Sequence, residues 1–385
     1  MKQRFRQRLR EWKAGSRRTV ALVYRELTGM SWRGPRARES LKAALSVMLA
    51  VALAKALRLD DLWWAAFSGY MVMRSSFDET FRRGVYRIGG TMLGALLGIA
   101  LAPVMVDHPL WRIAWIFAFS ALTLYFALLS RYGYAWLFLG ITHVMVLAFA
   151  VLAPDATAHF AKLRVADVAV GTAVCVIVSA VFALAAGARP RSLLQSLRGL
   201  LGTPVADRLL GSEPGMRRSL LQHVGEAALA MACIAAFGYG FRMTAFTQAS
   251  ITVFAVMLLP IKDFTVNRRG AVTRKLLQRC LGCVFGGVAG MLLLLLTGHV
   301  PPLWWLALAL GIWVGQYLQS SGPDISYIGT QFCLGYLTAF VHDVHLAESY
   351  AAAAERFAGI LSGLLILGTI LFLGTLLKTA PRQGE

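Results

Sequence analysis

Arg82-Arg83-Gly84-Val85-Tyr86-Arg87-Ile88-Gly89-Gly90-Thr91-Met92-Leu93-Gly94-Ala95-Leu96-Leu97-Gly98 is answered 192 residues later by Arg274-Lys275-Leu276-Leu277-Gln278-Arg279-Cys280-Leu281-Gly282-Cys283-Val284-Phe285-Gly286-Gly287-Val288-Ala289-Gly290. In both copies a basic cluster runs directly into an apolar helix with glycine at every fourth position. Each copy also follows an apolar segment that ends in a Val-Met pair, Val72-Met73 and Val256-Met257. A soluble domain has little use for this pattern, whereas a duplicated membrane protein does. The repeat predicts two like halves.

Composition agrees. Hydrophobic residues are 57% of the 385-residue chain and charged residues 15%, against about 25% in an average soluble domain. Mean hydropathy is +0.61. The basic residues behind the net charge of +20 cluster in 1–40, 74–87, 187–222, 262–279 and the C-terminal tail, between or outside the apolar spans. That placement reflects the positive-inside rule and argues against nucleic acid as a partner. No cleavable signal peptide is expected, because the basic start meets no apolar run until about Leu41.

Apolar spans fall at 41–57, 62–74, 87–106, 111–129, 133–152 and 166–187, then at 223–241, 244–260, 279–297, 302–319, 325–342 and 356–377. The predicted fold is an all-α integral membrane protein of about twelve transmembrane helices, arranged as two parallel six-helix repeats, 41–187 and 223–377. Residues 1–40 form a basic amphipathic N-terminal segment suited to anionic headgroups. Residues 188–222 form a cytoplasmic linker, and 378–385 a cytoplasmic tail. Of the 39 Lys and Arg residues, only Lys55, Arg58, Arg112, Lys162, Arg164, Arg242 and Arg356 fall near outward-facing ends when both termini are inside. The predicted topology is therefore N-in and C-in, with the halves related by an axis along the membrane normal.

Gly90, Gly94 and Gly98, and Gly282, Gly286 and Gly290, line one helical face and predict close helix packing. The third helix of each half is accordingly expected at the centre. Arg87 and Arg279, nearest the membrane in their clusters, are placed as anion contacts at the inner mouth. Arg74 and Arg242, at ends of neighbouring spans, are further anion contacts. Phe67 and Tyr70 sit deep enough to stack on an aromatic solute, and Gln331 is an amide within an apolar helix.

Ionisable groups at membrane depth are candidates for carrying a coupling proton. His143 lies mid-span and titrates near neutral pH when unperturbed. Glu226 and Asp167 are placed in the first turns of their spans, where water is also within reach. The five cysteines (Cys175, Cys233, Cys280, Cys283, Cys333) all lie in apolar segments, and Cys280-x2-Cys283 lacks a second ligand pair. No metal or cofactor is expected. Neither a Walker A loop nor a G-x-S-x-G elbow occurs, so the chain does not read as an enzyme.

Trp64-Ala65-Ala66, Val72-Met73 and Arg87-x2-Gly90-Thr91-x2-Gly94-x3-Gly98 resemble the fusaric acid resistance (FUSC) family, whose membrane module is similar to that of the plant aluminium-activated malate transporters. The likeness covers roughly 40–187 and 223–377. It implies a bacterial inner-membrane efflux protein for small organic anions, aromatic carboxylates among them, working beside a periplasmic adaptor. It carries interest to Arg87, Gly90, Thr91 and Gly94, and to Arg279, Gly282 and Gly286. Two departures stand out. Cys283 occupies the place of Thr91, and residues 188–222 replace the large cytoplasmic domain of the longer exporters.

The sequence thus predicts proton-driven export of organic anions. An organic-anion channel and a non-transporting envelope or lipid-associated protein stay open as alternatives, as does a homo-oligomer.

Overall fold

The structure, a computed structural model, describes residues 20–187, 214–238, 243–297, 300–341 and 349–379. Every regular element among them is a helix. The first, α1, covers 20–28. Then come α2 (Pro35–Ala56), α3 (Leu62–Met71), α4 (Phe77–Met105), α5 (Pro109–Leu129), α6 (Gly133–Leu152) and α7 (Thr157–Ala185). The remainder are α8 (Pro214–Phe237), α9 (Met243–Met257), the short α10 (Ile261–Val266), α11 (Arg268–Thr297), α12 (Pro301–Gln319), α13 (Ser326–Phe340) and α14 (Ser349–Thr379). Seven of the described helices are long and apolar enough to cross a membrane unaided: α4 to α8, α11 and α14.

Local chemistry sets these boundaries. Pro35, Pro109 and Pro301 each open a helix, where the missing N–H is no loss. Before Pro35, Gly34 turns the chain at φ 98°, a conformation that L side chains rarely adopt. Ser76 caps α4 by accepting from the Glu79 N–H, with Asp78 and Glu79 at the positive end of the helix.

Several helices begin earlier than hydropathy suggests. α4, α7 and α11 start about ten residues before the apolar runs at 87, 166 and 279. Their basic clusters lie inside the helices and not in loops, since Arg and Lys are good helix formers. α8 likewise starts at Pro214, inside the expected 188–222 linker, and α2 starts inside the expected 1–40 segment. Three spans are shorter than a bilayer requires. α3 has 10 residues and α9 has 15, so at ~1.5 Å per residue neither crosses alone, and α13, also of 15 residues, shares the shortfall. Instead α3 is enclosed by protein, with nine of its residues buried.

The glycine-striped helices are not central. α4 packs mainly on α6 and α7, and α11 on α13. Opposite its stripe, α4 exposes Leu93, Leu96 and Leu97, and α11 exposes Phe285, Val288 and Leu292. Such leucine-rich outer faces suit contact with lipid. Contacts between the first and second sets of helices are made instead by α2 with α12, α5 with α8, α3 with α13 and α6 with α9.

The segment before α2 docks on α12. Trp32 stacks on Trp313 at 4.4 Å, the Ser31 N–H donates to Tyr317 Oη at 3.2 Å, and Arg36 pairs with Glu26 at 2.7 Å. The more N-terminal part of the expected amphipathic segment lies outside the described residues.

Candidate functional site

Helix stripes without side chains draw backbones together, and each glycine here meets a specific neighbour. A Cβ on Gly94 would lie 2.6 Å from Leu139 O, and one on Gly98 2.6 Å from Val146 Cβ. On α11, a Cβ on Gly282 would lie 2.8 Å from Ile328 O, and one on Gly290 2.9 Å from Tyr336 O. Gly90 closes on Ala135 O and Gly286 on Phe332 O in the same way. All six glycines thus face a neighbouring helix at close approach, α4 against α6 and α11 against α13.

That close approach fixes Arg87 and Arg279, which share the striped faces. Neither lies at a helix start or an open mouth, contrary to expectation. Each is about three turns into its helix, and they are 0% and 2% exposed. Hydropathy places them at span edges, but the helices extend a further three turns toward their N-termini.

Arg87 donates from Nε and Nη2 to Ser68 Oγ at 3.2 and 3.0 Å, and from Nη1 to Tyr134 Oη at 3.3 Å. Its guanidinium also covers the Phe138 ring at 4.0 Å and faces Phe67 at 5.6 Å. Arg279 donates from Nε to Thr252 Oγ1 at 3.1 Å and from Nη1 to Gln331 Oε1 at 2.6 Å. Both hydroxyls donate onward to the carbonyl four residues back: Ser68 to Trp64 O at 2.8 Å, and Thr252 to Gln248 O at 2.7 Å.

These contacts recur at corresponding positions. Ser68 and Thr252 are displaced by 184 residues, as are the Val-Met pairs. Tyr134 and Tyr327, displaced by 193, donate to Met71 O at 3.3 Å and Ala255 O at 3.4 Å. Above them lie Arg83, 3.8 Å from the Tyr134 ring, and Lys275, 4.9 Å from the Tyr327 ring. Chemistry differs at one corner: Phe138 stacks on Arg87, whereas Gln331 at the corresponding position bonds Arg279. Among the described residues, no carboxylate forms an ion pair with Arg87 or Arg279.

The other predicted residues scatter around this arrangement. Arg74 bonds its own segment through Met73 O at 2.9 Å. Tyr70 is buried and donates to Gln319 Oε1 at 2.7 Å, so its ring is not open for stacking. Arg242 lies outside the described residues. His143 accepts from Trp115 Nε1 at 2.8 Å and packs 4.2 Å from Phe119. That bond occupies Nε2, the geometry of a packing histidine. Glu226 is not in a first turn but mid-helix, paired with Arg268 at 2.7 Å. Asp167, also expected in a first turn, lies ten residues into α7 and is 1% exposed.

Sequence reasoning missed three groups. Arg268 joins Glu226 to His223, whose Nδ1 is 3.2 Å away and whose Nε2 contacts Met257 O at 2.7 Å. Arg164 and Arg356 read as topology charges, yet they are 2% and 3% exposed. In the turn before α3, burial pushes the Asp61 carboxyl above the usual range, against the pull of Arg356 and Arg164. Near the start of α11, an open cavity of about 480 Å³ is lined by Arg218, Asn267, Arg268 and Arg269, among others. No group of His, Cys, Asp or Glu suited to a metal occurs among the described residues.

Comparison with known families is decisive over most of the chain. Residues 36–239 match the model described as fusaric acid resistance protein family, and residues 264–370 match that described as fusaric acid resistance protein-like. No curated protein and no solved structure matches significantly.

Proposed function

The chain belongs to the fusaric acid resistance protein family, and from that premise we propose that it exports small organic anions, aromatic carboxylates foremost, across the bacterial inner membrane, driven by the proton gradient. One observation carries this assignment: Arg87 and Arg279 are two fully enclosed guanidinium groups at corresponding positions, held only by neutral partners. A buried charge without a counter-charge costs several kcal/mol, which hydrogen bonds to hydroxyl and amide groups offset only in part. A carboxylate passing through supplies the missing charge. The planar guanidinium holds it through two parallel bonds, a geometry that an ammonium cannot offer.

Two parallel six-helix repeats with both termini inside, the short α3 and α9 counted among their twelve membrane segments, fit this function. Support comes from reciprocity: α2 packs on α12 as α8 packs on α5, and α3 on α13 as α9 on α6. Such exchange is what a twofold axis between like halves produces. The aromatic lining of Phe67 and Phe138 near Arg87 suits a ring, while the Gln331 amide near Arg279 suits a polar substituent. For the coupling proton we assign Asp167, which lies in the field of Arg164, one turn away on α7. Glu226 is held by Arg268, and His143 by Trp115.

Labelled benzoate offered to inverted membrane vesicles tests the proposal. It should accumulate when the interior is acidified and leak out when an uncoupler is added. Entry that merely follows the electrical potential would point to a channel instead. Entry no faster than in vesicles lacking the protein would sink transport of this class altogether.

A further inference from the structure

Arg164 on α7 and Arg356 on α14 are 192 residues apart, the displacement of the glycine-striped copies. They come from different halves but land on adjacent residues of one helix. The Arg164 guanidinium lies 3.1 Å from the Trp64 ring centroid, and that of Arg356 4.7 Å from the Trp63 ring centroid. The two indoles themselves are 3.6 Å apart. Arg356 donates to Thr338 O at 3.0 Å. Arg164 is different: none of its three guanidinium nitrogens has a hydrogen-bond partner among the described residues. Stacking on an indole offsets only part of the cost of enclosing such a cation.

We propose that Arg164, Arg356 and the Trp63-Trp64 pair form a second anion station, one turn along α3 from the Arg87 contacts toward its N-terminus, and that the Asp61 carboxylate is its built-in counter-charge, which a passing carboxylate must displace. The transport assignment above enters only in the choice of a carboxylate as the ligand. Asp61 immediately precedes α3 and lies in the field of both arginines. Asp167 supplies a further negative charge to Arg164 from its own helix. The station is therefore close to charge balance when empty, and closed in this conformation.

A run of aromatic rings links the two stations. Trp64 meets Phe67 edge-on at 5.8 Å, and Phe67 faces the Arg87 guanidinium at 5.6 Å. Cation, indole, phenyl and cation thus alternate along one face of α3. Asp61 then has a defined task. Two unopposed arginines would hold a carboxylate too firmly, and conduction needs sites weak enough to leave. A resident carboxylate that competes for the same guanidinium groups weakens the hold.

The purified full chain, titrated with benzoate by calorimetry, tests the station. Removing the competitor in Asp61→Asn should tighten binding about tenfold, and Arg164→Gln should weaken it by a similar factor. Asp61→Asn should bring no gain once Arg164→Gln and Arg356→Gln are both present, and Arg87→Gln should not remove the gain from Asp61→Asn. Should Arg164→Gln fail to fold, Arg164→Lys keeps the charge without the fork and should still weaken binding. Unchanged affinity in Asp61→Asn, or a gain that persists without both Arg164 and Arg356, overturns the station. These outcomes separate from those for export. Binding that responds as described in a protein moving no benzoate would sink export alone, whereas normal transport and binding in both single variants would sink the station alone.

Discussion

Arg87 donates two hydrogen bonds to a single hydroxyl, Ser68 Oγ, at 3.2 Å from Nε and 3.0 Å from Nη2. The acceptor belongs to α3, a helix too short to cross the membrane, and the donor to α4, whose far face looks outward. Arg279 and Thr252 make the corresponding link between α11 and α9 at 3.1 Å. A buried arginine thus pins a half-length helix to a glycine-striped one in each half.

Ser68→Ala should therefore leave the Arg87 guanidinium short of its main acceptor. The expected loss is about 1–3 kcal/mol of stability, read as a lower unfolding midpoint in detergent. Ser68→Thr keeps the hydroxyl and should recover most of it. An Ala variant as stable as the parent would mean that water or another group satisfies Arg87 equally well.

Gly94→Leu and Gly286→Leu should overpack contacts that admit no side chain. A Cβ at Gly94 already lies 2.6 Å from Leu139 O, and one at Gly286 collides with Phe332 O. Each change is expected to cost about 1–3 kcal/mol or more. Gly89→Ala is the control, because nothing lies within 4 Å of its added Cβ. Equal thermal stability in the Gly89 and Gly94 variants would refute the close contact.

Glu226 and Arg268 are side chains with 10% and 7% exposure, paired at 2.7 Å. Glu226→Gln should strand the arginine charge and destabilise the protein by about 3–5 kcal/mol, the usual effect of breaking a buried pair. Replacing both residues, Glu226→Leu with Arg268→Met, should cost much less. If the single and double variants unfold at the same temperature, the pair is not coupled as drawn.

Much of this arrangement was legible in the sequence. The duplicated Arg-glycine pattern points to α4 and α11, whose glycines approach α6 and α13 closely, and pairs Arg87 with Arg279 by position. Their partners were hidden by a change of register. Arg87 and Arg279 differ by 192 positions, whereas Ser68 and Thr252 differ by 184, because extra residues including α10 intervene before α11. A single offset cannot align both. Serine and threonine are also too common in apolar helices to signal a site. Depth misled in another way. Hydropathy ended the spans at the first charges, so Asp167, Glu226, Arg87 and Arg279 read as water-facing when the helices continue past them. The central position expected for the striped helices failed because glycine shows where a backbone approaches, not which side of the bundle it is on.

Topology has its own check. Single cysteines placed in 154–164 and in 187–222, in a variant lacking the native cysteines, should react with an impermeant thiol reagent from opposite sides of the membrane. Labelling from the same side would remove the six-helix repeat and the parallel relation of the halves.

Initial rates of labelled benzoate uptake into energised inverted vesicles, at matched protein levels, test the central assignment of Arg87 and Arg279 most directly. Arg87→Gln and Arg279→Gln should each raise the apparent KM about tenfold or more, the equivalent of roughly 1.4 kcal/mol, with insertion intact. Arg87→Lys should recover only part of the loss, because an ammonium keeps the charge and not the paired bonds. Parental kinetics in both Gln variants would contradict the assignment, and full recovery by Lys would reduce the arginines to charges that set topology.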